Sequence, residues 1–331
     1  MKSINEDLKT GNFKQIYLLY GEEAYLKRQY KEKLVKALVE PGDTMNYGYF
    51  EGKKINVKEI IDLSETMPFF ADRRLIVVEN SGLFKGEGQE LADYLKELPE
   101  TSYFIFVESE IDKRSRLFKA VKDIGRVTEL GRQNEKMLIS WILGKLKGEN
   151  KRITENTMMS LLNKTGADME NIDKELEKLI CYTLDRDVIT DDDVEEVCIT
   201  ITENRIFDMI NFITERKQKE ALDLYYDLLA LKEPPMKILF LIARQFNLLM
   251  QAKDLMRLGY SRDSLGQKMG LPGFIAGKYM VQARNFSMEI LKEAVEDCVQ
   301  TEQDVKTGKI NDLISVELII VKYSGKQANT H

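Results

Sequence analysis

The sequence predicts an α/β amino-terminal domain built on a parallel sheet, followed by two all-α domains, and three observations predict it. Over the first 130 or so residues, apolar runs of strand length alternate with charged helical segments, the pattern of parallel strands with helical cover. Helices take over from Glu135, and from Thr202 onward every long segment has helical period. At 331 residues the chain is also too long for one ordinary core and calls for two or three domains of about 100 to 150 residues each.

The elements follow in order. Gln15-Ile16-Tyr17-Leu18-Leu19-Tyr20 is a buried-strand candidate closed by Gly21, and a charged helical stretch runs from there through Lys36. Asn56 with Glu59 three residues later reads as a capping box, after which Val57, Ile60, Leu63 and Met67 recur at helical spacing. Pro68 should stop that helix at about Met67. Further strands are expected at 75–78 and 103–107. Helices are then expected at 135–147, with Met137, Leu138, Trp141, Ile142 and Leu146 apolar, at 154–164 and at 171–182, and Thr190 with Asp193 marks another capped start. The remaining helical segments are 206–214, 219–231, 235–258, 287–301 and 311–323, punctuated by Glu233-Pro234-Pro235 and Gly270-Leu271-Pro272-Gly273. The expected domains are 1–132, 133–203 and 204–325, with a polar tail at 326–331.

Composition removes several function classes. Hydrophobic content of 43% with 31% charged residues describes a globular protein, and no apolar stretch reaches the roughly 18 residues of a membrane span. The opening MKSINEDLKT is polar where a signal peptide would be apolar, so a cytoplasmic location is expected. Cys181, Cys198 and Cys298 are odd in number and never in CxxC spacing, which supports neither a disulfide framework nor a zinc site and leaves them as buried thiols. The one histidine, His331, ends the polar tail, so triad and zincin chemistry have no candidates. A net charge of -6 argues against a chain that coats nucleic acid by itself.

Two places stand out for what they carry or lack. A phosphate loop, GxxxxGK[ST], would follow the first strand of an ATPase of this layout; here the chain reads Gly21-Glu22-Glu23-Ala24-Tyr25-Leu26-Lys27-Arg28, with no second glycine, no Lys-Ser/Thr pair and two carboxylates where a triphosphate would lie. Glu79, at the end of the strand expected at 75–78, sits where a metal-binding aspartate would be expected but has no phosphate loop to serve, and reads as a strand-end surface carboxylate. The second place is Ser64 to Arg74. It sets Met67, Pro68, Phe69 and Phe70 in a short connection between helix and strand, where an aromatic pair is either tucked into its own core or offered to a partner.

Five segments in order along the chain, YLLYGEEAYL at 17–26, TMPFFADRRLIVVEN at 66–80, FVESEIDKRSRLFK at 106–119, QARNFS at 282–287 and DVKTGKINDLISVELIIVKYS at 304–324, resemble the delta subunits of the bacterial DNA polymerase III clamp loader. The resemblance implies a RecA-like AAA+ module with a degenerate nucleotide site, a small helical lid, and a helical collar that oligomerises. It implies a binding subunit without catalysis of its own, acting in DNA replication within a DNA-directed DNA polymerase complex whose nucleotidyltransferase activity resides elsewhere. It also implies that Met67, Pro68, Phe69 and Phe70 form the element that binds and opens the beta sliding clamp. The sequence has Phe69-Phe70 where a Leu-Phe pair is commoner in the family. No cofactor is implied for this chain, since ATP would sit on partner subunits. The implied partners are the clamp, the delta prime and tau/gamma subunits held through the collar, and primed DNA within the assembly.

Two further features compete for attention. Lys113, Arg114, Arg116, Lys119, Lys122 and Arg126 decorate a helix whose apolar face is Leu117, Phe118, Val121 and Ile124; such a run is ordinarily a solvated face, it lacks interleaved aromatics for stacking bases, and no residue is assigned to DNA. Residues 261–280 imitate a helix-turn-helix, the basis of the alternative reading as a helical adaptor or DNA-binding protein. The second helix there opens with Phe274-Ile275-Ala276-Gly277, which suits packing better than base readout. Tyr20 and Tyr25 are expected in the core.

Overall fold

Apolar runs that are buried on both faces make the central strands of a parallel sheet, and that is where the first two-fifths of the chain places them. The structure, a computed structural model, describes residues 2–325. The tail at 326–331, with His331, lies outside the described residues. The chain separates into two compact units, Met1–Arg132 and Gln133–His331. The expected division at 203/204 falls inside the second.

The first unit is a five-stranded parallel sheet of β1 (Ile16–Tyr20), β2 (Tyr47–Glu51), β3 (Arg74–Glu79), β4 (Ser102–Glu108) and β5 (Arg126–Glu129), in the order β2-β3-β4-β1-β5. Leu18 lies beside Phe106, and Val77 beside Ile105, in the centre of the sheet. The unit's helices are α1 (Lys2–Thr10), α2 (Ala24–Leu38), α3 (Val57–Glu65), α4 (Gln89–Tyr94) and α5 (Arg116–Ile124). One core joins Ile76, Val78, Phe104 and Phe106 to Ile60, Leu91, Leu117 and Val121 from the helices. Tyr20 and Tyr25 are buried as expected.

Three details depart from the sequence expectation. β2 and β5 are strands that no apolar run announces, because each is an edge strand and reads Tyr-Gly-Tyr-Phe-Glu or Arg-Val-Thr-Glu. Asn56 does cap α3, but its side chain accepts from the Lys58 amide and donates to Glu59 Oε1 at 3.0 Å, so the reciprocal box is replaced by a side-chain pair. The helix ends at Glu65, two residues short of Met67, because Thr66 turns extended (ψ 125°) while its hydroxyl bonds the Asp62 carbonyl.

The second unit begins with α6 (Glu135–Gly148), β6 (Arg152–Ile153), α7 (Glu155–Thr165), α8 (Met169–Tyr182), β7 (Val188–Ile189) and α9 (Asp191–Val197). The expected helical region therefore also contains a two-residue parallel pairing, β6 with β7. Thr190 and Asp193 form the full capping box their spacing predicts. α10 (Thr202–Thr214), α11 (Gln218–Ala230), α12 (Pro235–Arg257), α13 (Arg262–Met269), α14 (Gly273–Arg284), α15 (Met288–Lys306) and α16 (Asp312–Gly325) complete the unit. Ile242, Phe246 and Leu249 of α12 share one core with Tyr225, Leu291 and Ile320. A buried polar chain threads this bundle: Tyr279 donates to Gln245, Gln245 to Gln282, and Gln282 to Asn211. Cys198 and Cys298 are buried, and burial pushes both thiols up to about 12. Cys181 is exposed, contrary to expectation, because its position near the end of α8 faces away from the packed side. No helix among the described residues is long and apolar enough to cross a membrane.

Candidate partner-binding site

The connection from α3 to β3 is a loop whose backbone is held by buried polar side chains and whose own side chains point outward. Arg74 opens β3 and is 4% exposed. Its guanidinium donates to three carbonyls, from Nε to Thr66 at 2.9 Å, from Nη2 to Met67 at 2.9 Å and from Nη1 to Met45 at 3.0 Å. The planar fork suits this, since it satisfies carbonyls left open at the carboxy-terminal end of α3 and in the 43–46 turn together. Asn46, 2% exposed, takes the next residues: Phe69 N–H donates to its Oδ1 at 2.7 Å, and its Nδ2 donates to the Phe69 carbonyl at 2.9 Å. Asp43 braces Asn46 by accepting from its backbone N–H and its Nδ2, bonds that hold the Asp43 carboxyl below its usual range. Leu75 N–H donates to the Asn46 carbonyl, so the same residue is fixed to the sheet. Arg73, the residue before Arg74, lies over the rings of Phe13 and Tyr103.

Against that frame the apolar side chains are exposed. Met67 is 74% exposed, Phe69 56% and Phe70 96%. The two rings meet edge to face, with centroids 4.6 Å apart and planes at 81°. Phe70 sits at φ 50°, a left-handed conformation that costs a non-glycine residue about 1 to 2 kcal/mol. Pro68 is half-buried between Met67 and Phe69 and prevents the helix from continuing. Of the two positions open to an aromatic pair in a loop, this one takes the exposed one. Met45, also exposed, stands on the neighbouring turn and its carbonyl shares the Arg74 guanidinium with that of Met67.

Sequence reasoning missed Arg74, Asn46 and Met45. The available signal was Arg74 itself, a cation at the head of an otherwise apolar strand. Asn46 had none, being 23 residues from its partner Phe69.

In the region where a nucleotide site would lie, the charged side chains are engaged with one another and with the backbone. With Gly21 as the first glycine of a phosphate loop, Lys27 falls at the position of the phosphate-binding lysine, Leu26 replaces the second glycine and Arg28 the hydroxyl residue. Lys27 is buried, and its ammonium donates to the Glu108 carbonyl at 3.2 Å; burial lowers its pKa. Glu108 is buried as well, accepting from the Ser81 hydroxyl and amide, and burial raises its pKa. Glu79 is not a free surface carboxylate: Lys31 pairs with it at 2.6 Å and Tyr49 donates to it. Among the described residues no three of His, Cys, Asp and Glu are grouped to hold a metal ion.

The basic run is largely neutralised by its neighbours. Lys113 pairs with Glu129, Arg114 with Asp112, Arg116 with Asp93 and Arg126 with Asp7. Lys113 and Arg114 precede α5 and Arg126 belongs to β5, so the six residues do not decorate one helix. Ile124, expected on the apolar face, is exposed at the helix end. In the 261–280 segment, α13 ends at Gly270 with φ 66°, and α14 buries Phe274, Ala276, Tyr279 and Gln282. That face is spent on packing within the bundle.

Comparisons with known proteins agree over both units. Residues 17–130 match the family model described as DNA polymerase III, delta subunit, and residues 203–323 match the DNA polymerase III delta subunit, C-terminal domain. The DNA polymerase III subunit delta of Bacillus subtilis is 29% identical over 96% of this chain and 95% of its own. A probable DNA polymerase III subunit delta of Aquifex aeolicus is 24% identical, over 85% of this chain and 83% of its own. The solved structure of the Bacillus subtilis DNA clamp loader delta protein superposes with a TM-score of 0.76 at 28% identity, covering 98% of this chain and 99% of that one. With an AAA+-like first unit, a helical second unit and matches of one subunit type along nearly its whole length, the chain belongs to the DNA polymerase III delta-subunit family, as a clamp-loader subunit.

Proposed function

We propose that this chain binds the beta sliding clamp through Met67, Phe69 and Phe70, with Pro68 shaping the loop, and helps to open the ring for loading onto primed DNA. The observation that carries the reading is a pair of phenylalanines exposed on a loop whose backbone is fixed by Arg74 and Asn46. An apolar anchor on a braced support is the form that binding hot spots take. Burying what these three side chains still expose in an apolar pocket contributes on the order of 4 to 6 kcal/mol gross, before the costs of association.

The chain makes and breaks no bond in this scheme. Lys27 engaged with the end of β4, and the carboxylates Glu22 and Glu23 in the loop before it, support a module that leaves ATP to partner subunits. The bundle formed by α10 to α16 serves as the collar through which the delta prime and tau/gamma subunits are held, and primed DNA is met in the assembled loader.

The test is capture of the clamp by the full chain and by a Phe69→Ala/Phe70→Ala variant. Loss of capture by a folded double variant is the expected result. Undiminished capture removes the proposal.

A further inference from the structure

We infer that Asn46 and Arg74 are positioning residues for the clamp-binding loop: they hold its backbone in the binding geometry before the partner arrives. The inference rests on the proposed clamp-binding role of Met67, Phe69 and Phe70. Its physical basis is a mismatch inside the free subunit. A loop that is ordered must offset the conformational entropy of ordering, and ordinarily does so by burying its own side chains. Here Phe70 buries almost nothing and Phe69 less than half of its surface, while Phe70 is held at a left-handed φ. What fixes the loop is polar and comes from outside it. Asn46 receives the Phe69 N–H and donates to the Phe69 carbonyl, a two-point grip on the residue preceding the strained one. Arg74 ties the Thr66 and Met67 carbonyls to the Met45 carbonyl, joining the loop to the 43–46 turn. Both side chains are buried and neither presents itself to a partner, so their contribution to binding passes through the residues they hold. Ordering a loop ahead of contact removes that cost from association and appears as affinity.

The experiment uses the full chain and the sliding clamp encoded in the same genome, with dissociation constants measured well below the melting temperature for wild type, Asn46→Ala, Phe70→Ala and the combined variant. Asn46→Ala is expected to weaken binding about tenfold, which is about 1.4 kcal/mol. In the Phe70→Ala background, the same substitution is expected to cost less than threefold, because the ring it positions is gone. Amide exchange at Phe69 should accelerate in Asn46→Ala while β3 and β4 remain protected. Accelerated exchange with unchanged affinity overturns the inference and leaves the clamp-binding role standing. An equal loss in both backgrounds also overturns it, as the signature of a general defect. Unchanged binding by Phe70→Ala together with Phe69→Ala refutes the clamp-binding role itself, and the inference falls with it. Should Asn46→Ala fail to fold, Arg74→Lys bears the same test: a single ammonium cannot span the three carbonyls, and the same loss and coupling are expected.

Discussion

Single substitutions in the loop should rank by how much apolar surface each side chain has left to bury. Fully burying a phenylalanine or methionine side chain stabilises by about 1.5 to 3 kcal/mol. Phe70, 96% exposed, retains nearly all of that for a partner, whereas Phe69 at 56% has already used close to half. Phe70→Ala should therefore weaken clamp binding by about 2 to 3 kcal/mol, roughly 30- to 150-fold. Phe69→Ala should cost about 1 to 1.5 kcal/mol and Met67→Ala about 1 to 2. Removing Phe69 also removes the edge-to-face contact with Phe70, so the two losses should not add. The folded state gains little from a ring so exposed, and Phe70→Ala should change the unfolding free energy by no more than about 0.5 kcal/mol. Calorimetric or surface-based titration of the clamp, with thermal unfolding of each variant, measures both quantities. A larger loss from Phe69 than from Phe70, or a drop in stability that accounts for the loss in binding, refutes the reasoning.

Three other outcomes follow from particular residues. Gly21 has φ 125°, and a Cβ there would stand 2.5 Å from the Leu130 carbonyl oxygen, so Gly21→Ala should destabilise the first unit by at least about 2 kcal/mol, read by denaturant unfolding. Asp193 ionises at about 2 in the folded chain because Arg186 grips both its oxygens, against about 3.9 unfolded; the unfolded chain binds more protons between these values, so stability falls as pH drops from about 5 towards 2, and Asp193→Asn should flatten that part of a melting-temperature profile. Met45, exposed and tied to the loop through Arg74, should add to the partner surface, and Met45→Ala should weaken clamp binding about three- to tenfold in the same titration with unchanged stability.

What the sequence made legible depended on whether the information was local. β1, β3 and β4 are central strands buried on both faces, and a continuous apolar run announces each. The edge strands β2 and β5 carry tyrosine, arginine and glutamate, and no window of residues separates them from loops. The capping box at Thr190 was readable because both partners lie within four residues, and the side-chain pair at Asn56 shows that the same spacing admits a second arrangement. In the loop, the type and position of Met67 to Phe70 were visible, and so was the break imposed by Pro68. Their exposure was not, because it depends on what faces them in space. The bracing was invisible for the same reason: Asn46 and Arg74 approach the loop from a distant turn and from the strand beyond it.

A braced apolar loop supplies grip, and grip alone does not open a ring. A partner shifts an equilibrium only by the difference in its affinity for the two states, and moving a closed ring from 1:99 to 99:1 requires about 5.5 kcal/mol of difference. Met67, Phe69 and Phe70 enter a pocket on one clamp protomer in the proposed reading, and that pocket is offered whether the ring is closed or open. Their contribution therefore cancels from the difference, and the preference must come from other surface of the first unit acting on the ring's own interface. This yields a measurable ratio. Binding is compared between the intact ring and clamp protomers kept apart by substitutions at their own interface. Phe70→Ala should weaken both by the same factor, leaving the ratio within about twofold of its wild-type value. A ratio that collapses when Phe70 is removed would mean that the loop itself senses the state of the ring, and the separation of grip from opening would then be wrong.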